Sequence, residues 1–96
     1  MIILRSKQEI ELIREAGKIV AEAHATVKEA IKPGISTKEL DKIAYDVIVK
    51  HKAEPSFLGY GGFPASICAS PNEVVVHGIP SDKIILQEGD IISIDI

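Results

Sequence analysis

The chain has 96 residues, 46% of them hydrophobic and 26% charged, with a net charge of −3. That length holds one domain or part of one, and the mild acidity gives no basis for binding nucleic acid or an anionic membrane. A single cysteine, no basic-then-apolar leader and no run near the ~20 apolar residues that span a bilayer point to a soluble cytoplasmic protein without disulfides.

Ser6-Lys7-Gln8-Glu9 has the form of a capping box. Behind it Ile10, Ile13, Ala16, Gly17, Val20, Ala23, Val27, Ala30 and Ile31 recur at helical spacing, which predicts an amphipathic helix over about 6–32. Gly17 is costly within a helix, so close packing by another element is expected there. Pro33-Gly34 ends the run. A second box, Ser36-Thr37-Lys38-Glu39, opens a helix over about 36–52, with Leu40, Ile43, Ala44, Val47 and Ile48 as its apolar stripe. The short link predicts an antiparallel pair.

From Pro55 the texture changes. P-S-F-L-G-Y-G-G-F-P, residues 55–64, holds Phe57, Tyr60 and Phe63 among three glycines and two prolines. This is a loop whose rings either line an apolar pocket or form a small core of their own. Strands are predicted over about 66–70, 73–77 and 90–96, which gives an α+β fold: two amphipathic helices on an antiparallel sheet.

Along the last strand Ile92, Ile94 and Ile96 share one face, and Ile91, Ser93 and Asp95 the other. The isoleucines are expected to face the helices. Asp95 is then either a solvated strand end or a carboxylate that something positive comes to meet. His77, sharing a face with Val75 and Glu73 along the middle strand, reads as a structural or a functional histidine. His24 and His51 lie on the helices as surface or packing residues, and Cys68 reads as a buried, inert thiol. No phosphate loop, CxxC pair or HExxH is present.

Taken in order, S-K-Q-E-I-E-L-I-R-E-A-G, P-G-I-S-T-K-E-L, S-F-L-G-Y-G-G-F-P, S-I-C-A-S-P-N-E-V-V-V-H-G-I-P and L-Q-E-G-D-I-I-S-I-D resemble the type I methionine aminopeptidases of bacteria. The resemblance runs from Ser6 to the last residue and implies the N-terminal half of a pita-bread fold. It implies removal of the initiator methionine from nascent proteins with two divalent metal ions (Co, Mn, Fe or Zn). Asp95 falls at the first metal-ligating aspartate, and His77 at a histidine that hydrogen-bonds the scissile peptide unit. Phe57, Tyr60 and Phe63 fall at the methionine side-chain pocket, and Asn72 and Val74 where main-chain carbonyls hold a monovalent cation.

The family pattern continues beyond this aspartate with ligands that these 96 residues do not contain. The chain alone is therefore expected to hold no productive dinuclear site and to be inactive. The other reading is a non-catalytic relative that self-associates or binds a partner. Methionyl peptides and the ribosome are the partners that the resemblance implies. A bared sheet edge and apolar surface further predict a homodimer of the 96-residue chain.

Overall fold

The computed structural model describes residues 3–74 and 76–96. Helices α1 (Lys7–Ala30) and α2 (Thr37–Lys50) pack on one face of an antiparallel ribbon made of β1 (Cys68–Pro71) and β2 (Ile92–Asp95). One turn of 3-10 helix, Tyr60–Gly62, lies in the connection between α2 and β1.

The capping box of α1 is complete. Ser6 Oγ accepts the Glu9 N–H at 3.1 Å, and the Glu9 carboxylate accepts the Ser6 N–H at 3.1 Å. The helix stops before residue 32 because Ile31 is already extended on the approach to Pro33. Gly34, at a φ of 97°, then reverses the chain, a conformation that suits a residue without Cβ. The second box is only half made. Ser36 Oγ accepts the Glu39 N–H at 3.1 Å, but the Glu39 carboxylate takes the Ser36 hydroxyl at 3.3 Å instead of its N–H. Lys52 adopts a left-handed φ of 59° just beyond Lys50, the last residue of α2.

The core lies between the helices and the ribbon. Val27, Leu40, Ala44, Ile67 and Ala69 are buried together, and Ile92, Ile94 and Ile96 pack against them. Full burial of a side chain such as Leu40 or Ile67 contributes about 2 kcal/mol. The close packing expected at Gly17 is absent: the residue is exposed, and a Cβ there would meet nothing within 4 Å. Its cost to the helix is not offset by any neighbour among the described residues.

The sheet departs from expectation in three places. The strand expected over 66–70 begins at Cys68, because the N–H groups of Ser66 and Ile67 go to Asp41 Oδ1 at 2.8 and 2.9 Å. The strand expected over 90–96 begins at Ile92, since Asp90 closes a turn by donating its N–H to the Gln87 carbonyl at 3.0 Å. The strand expected over 73–77 is not formed by its described residues. Asn72 and His77 have left-handed φ values of 49° and 59°, which break an extended run at both ends. Val75, placed beside His77 on that strand, lies outside the described residues. Among the described residues the sheet therefore has two strands where three were expected.

Candidate functional site

The outer face of the ribbon is polar. β1 and β2 pair Cys68 with Asp95, Ala69 with Ile94, Ser70 with Ser93 and Pro71 with Ile92. Residues directly opposite in an antiparallel pair point to the same side. With Ala69 and Ile94 in the core, Cys68, Ser70, Ser93 and Asp95 share the other face. Cys68 and Ser70 are buried there, while Ser93 and Asp95 are open to solvent. Burial, and after it the charge of Asp95, push the Cys68 thiol above its ordinary range. A thiol held neutral in this way is a poor nucleophile and metal ligand.

One backbone approach fixes the rim of this face. Gly78 accepts the Ala69 N–H at 2.9 Å and donates its own N–H to Ser70 Oγ at 3.0 Å. A Cβ on Gly78 would stand 2.1 Å from the Ala69 carbonyl oxygen, so no larger residue fits without movement. His77, immediately before it, is exposed with a left-handed backbone, a conformation that non-glycine residues seldom adopt. It stands beside the polar face, attached through Gly78, and not within a strand.

Asn72 locks the other end of the ribbon. Its N–H donates to the Ile91 carbonyl at 2.8 Å, and its Oδ1 accepts the Ile91 N–H at 3.1 Å. Its Nδ2 reaches Asp90 Oδ1 at 3.2 Å, and Asp90 Oδ2 accepts the Gln87 N–H at 2.8 Å. Asn72 and Val74 line a cleft of about 240 Å³ with Ser70, Ile91, Ile92 and Ser93.

The aromatic loop folds on itself. Phe57 and Phe63 meet with ring centroids 6.0 Å apart at 53°, in the tilted geometry that aromatic pairs favour. Gly59 donates to the Phe63 carbonyl at 2.9 Å, and Phe63 to the Tyr60 carbonyl at 3.0 Å. Tyr60 is 80% exposed. The structure thus brings Phe57 together with Phe63, and Asp95 together with Cys68. Tyr60 and His77 stand open to solvent.

Asp95 supplies at most two oxygens, whereas divalent ions take about four to six ligands. Among the described residues no three His, Cys, Asp or Glu side chains gather as a metal site. The described residues do not by themselves fit a pair of metal ions.

Two contributors escape sequence reasoning. Gly78, directly after the strand expected over 73–77, carried a signal, since a glycine beside a strand-like run often marks close backbone approach. Asp41 carried none: its partners lie 25 and 26 residues away.

Comparison with known proteins covers nearly the whole chain. Residues 11–96 match metallopeptidase family M24. The chain is 58% identical over 95 residues to the methionine aminopeptidase of Clostridium acetobutylicum, covering 99% of this chain and 38% of that protein. It is 58% identical over 96 residues to methionine aminopeptidase 1 of Bacillus subtilis, covering 100% of this chain and 38% of that one. The solved methionine aminopeptidase of Thermotoga maritima superposes with a TM-score of 0.95 at 38% identity, over 98% of this chain and 38% of its own. That of Rickettsia prowazekii gives 0.92 at 41%, with the same coverage. The chain spans 38% of the length of each of these relatives.

Proposed function

The chain belongs to metallopeptidase family M24, and from that premise we propose that its 96 residues form part of a methionine aminopeptidase that removes the initiator methionine from nascent proteins. The observation that carries this reading is the 58% identity to two methionine aminopeptidases over the whole chain. In this reading Asp95 is one ligand to a pair of divalent ions (Co, Mn, Fe or Zn) whose other ligands come from outside these 96 residues. Its exposure on a polar strand face supports the assignment. His77 binds the scissile peptide unit, and the exposed, left-handed backbone beside Gly78 leaves its ring free to meet a substrate. Phe57, Tyr60 and Phe63 edge the pocket for the methionine side chain, a soft, flexible group that suits aromatic walls. The carbonyls of Asn72 and Val74 hold a monovalent cation in the adjoining cleft. The substrates are N-terminal methionyl peptides presented at the ribosome, which places the protein in the cytoplasm. Among the described residues no helix is long and apolar enough to cross a membrane.

The test joins these 96 residues to the remaining length of the Bacillus subtilis relative and assays a methionyl tripeptide with Mn²⁺ or Co²⁺. The chimera is expected to hydrolyse it, and Asp95→Ala to lower the rate by at least about a hundredfold. His77→Ala lowers kcat with little change in Tm, and Tyr60→Ala weakens turnover more than folding. The 96-residue chain alone is expected to match a metal-only control. An inactive chimera that is folded and metal-loaded would overturn the reading, as would an Asp95→Ala chimera of undiminished rate.

A further inference from the structure

His77 carries no anchor of its own. Its backbone is left-handed, its side chain is exposed, and it makes no hydrogen bond among the described residues. A non-glycine residue keeps such a conformation only where the structure around it imposes it. The ring is therefore placed by the chain that leads into and out of it, and the peptide unit that follows is tightly held.

The Gly78 N–H donates to Ser70 Oγ at 3.0 Å, and the Gly78 carbonyl accepts the Ala69 N–H at 2.9 Å. That N–H and the His77 Cα belong to one planar unit, so the Ser70 hydroxyl sets the tilt of the plane from which the imidazole projects. Ser70 is buried, where a hydrogen bond is stronger than in water. The far end of the segment is held as well. Ser81 donates its N–H to Thr37 Oγ1 at 2.8 Å, and its carbonyl accepts the Thr37 hydroxyl at 3.2 Å. Thr37 is fully buried at the start of α2, and Pro80 restricts the backbone between the two holds. Residues 78–81 thus form a short strut from β1 to α2, with His77 directly before its β1 end.

Ser70 also faces Ser93 across the ribbon, two residues before Asp95 on β2. One buried hydroxyl therefore ties the strand pair that carries Asp95 to the peptide unit that carries His77. Resting on the role proposed for His77, we infer that Ser70 is a positioning residue for it. Its hydroxyl sets where the imidazole stands beside the polar face, so that the ring meets the scissile peptide unit. Ser70 acts through His77 and needs no contact with substrate, since displacing a group at the reacting centre by about 1 Å costs up to about a hundredfold in rate. Ala69 and Ile94 keep the ribbon seated on the core. Loss of the Ser70 hydroxyl therefore frees the His77–Gly78 peptide without moving Asp95.

A double-mutant cycle tests it, in the chimera with the remaining length of the Bacillus subtilis relative, assayed on a methionyl tripeptide with Mn²⁺. Ser70→Ala is expected to lower kcat about tenfold with little change in KM. In a His77→Ala background the same change should lower kcat by less than about twofold, because the ring that Ser70 places is gone. Ser70→Thr keeps a hydroxyl on the same Cβ and should restore most of the rate. Ser36→Ala removes the cap of α2 and lowers Tm to a comparable degree, but should leave kcat unchanged. By NMR, the Gly78 amide of the Ser70→Ala chimera should exchange at least about tenfold faster. An unchanged kcat in Ser70→Ala beside a lowered one in His77→Ala overturns the inference and leaves the role of His77 standing. An unchanged kcat in both overturns that role and the inference with it. Losses that multiply in the cycle, or a loss in Ser36→Ala as large as in Ser70→Ala, also overturn it, since Ser70 then acts on stability alone.

Discussion

The two faces of the β1–β2 ribbon share one backbone and one register, yet their side chains meet different surroundings. On the inner face Ala69 and Ile94 lie against Val27, Leu40 and Ala44, where packing alone matters. On the outer face Cys68 and Ser70 are just as buried, but beside Gly78, polar hydroxyls and the open carboxylate of Asp95. Burial therefore does not separate a stabilising face from a chemical one. What separates them is the company the side chains keep: apolar side chains against Ala69 and Ile94, and for Ser70 the Gly78 backbone, whose N–H its hydroxyl accepts.

The largest effect that sharpens this contrast is expected on the inner side. Ile67→Ala removes a fully buried side chain from the core and should cost about 3 kcal/mol, read from the urea midpoint at unchanged m. Gly78→Ala follows, at about 2 kcal/mol, because its Cβ would press on the Ala69 carbonyl. Equal losses from these two would show that backbone cover matters as much as side-chain packing. Ser70→Ala removes the acceptor of the Gly78 N–H and should cost about 1 kcal/mol in the same titration.

Asp95→Asn should change stability by no more than about 0.5 kcal/mol, since the side chain is exposed. It should nevertheless accelerate alkylation of Cys68 in the native chain. The thiol is raised by burial and then by Asp95, so removing the carboxylate charge lets it ionise at lower pH. The same shift makes a pH statement. A thiol whose folded pKa lies above its unfolded value contributes stability that is full below the unfolded value and is lost as pH rises through the folded one. Asp95→Asn should soften that alkaline limb. An alkylation rate unmoved by the substitution would separate Asp95 from Cys68 and break the description of the outer face.

The smallest effect lies away from the ribbon. Glu22 on α1 meets His51 and Lys50 at the end of α2, and the His51 hydrogen bond is the main cause that holds its carboxyl below the usual 4.5. Its contribution is present above the unfolded value and is lost as pH falls through the folded one. Glu22→Gln should flatten the acid limb slightly, because the pair is exposed. Cys68 alkylation should not change, which makes this substitution a control for the ribbon.

Much of the architecture was legible because it is local. A helix is written in a stripe, a cap and a breaker, so Ser6, Pro33 and the apolar spacing place both helices to within two residues at each end. Period-two alternation likewise put Ile92, Ile94 and Ile96 inside and Asp95 outside before any contact was known. Residues 73–77 misled for the same reason: E-V-V-V-H has the composition of a strand, but the Val74 N–H turns back to the Pro71 carbonyl at 3.0 Å and no strand pairs with the described residues. In the candidate site, residue types and order pointed to Asp95, His77 and the three rings. Their surroundings were not legible, since the backbone that meets Ala69 and Ser70 comes from Gly78, eight residues beyond Ser70.

By itself, the sequence determined which segments are helical, which face of each is apolar and which family the chain belongs to, because these follow from neighbours within a few residues and from motif order. Tertiary structure decided where the ladder begins and ends, through Asp41 taking the amides ahead of β1 and Asn72 pinning the entry to β2. It also decided that one apolar stripe of α1 is buried at Ala23 and bare at Ile13. Periodicity reports only that a face is apolar. Whether that face is covered depends on how far α2 and the ribbon reach along it, and that is a property of the packed chain.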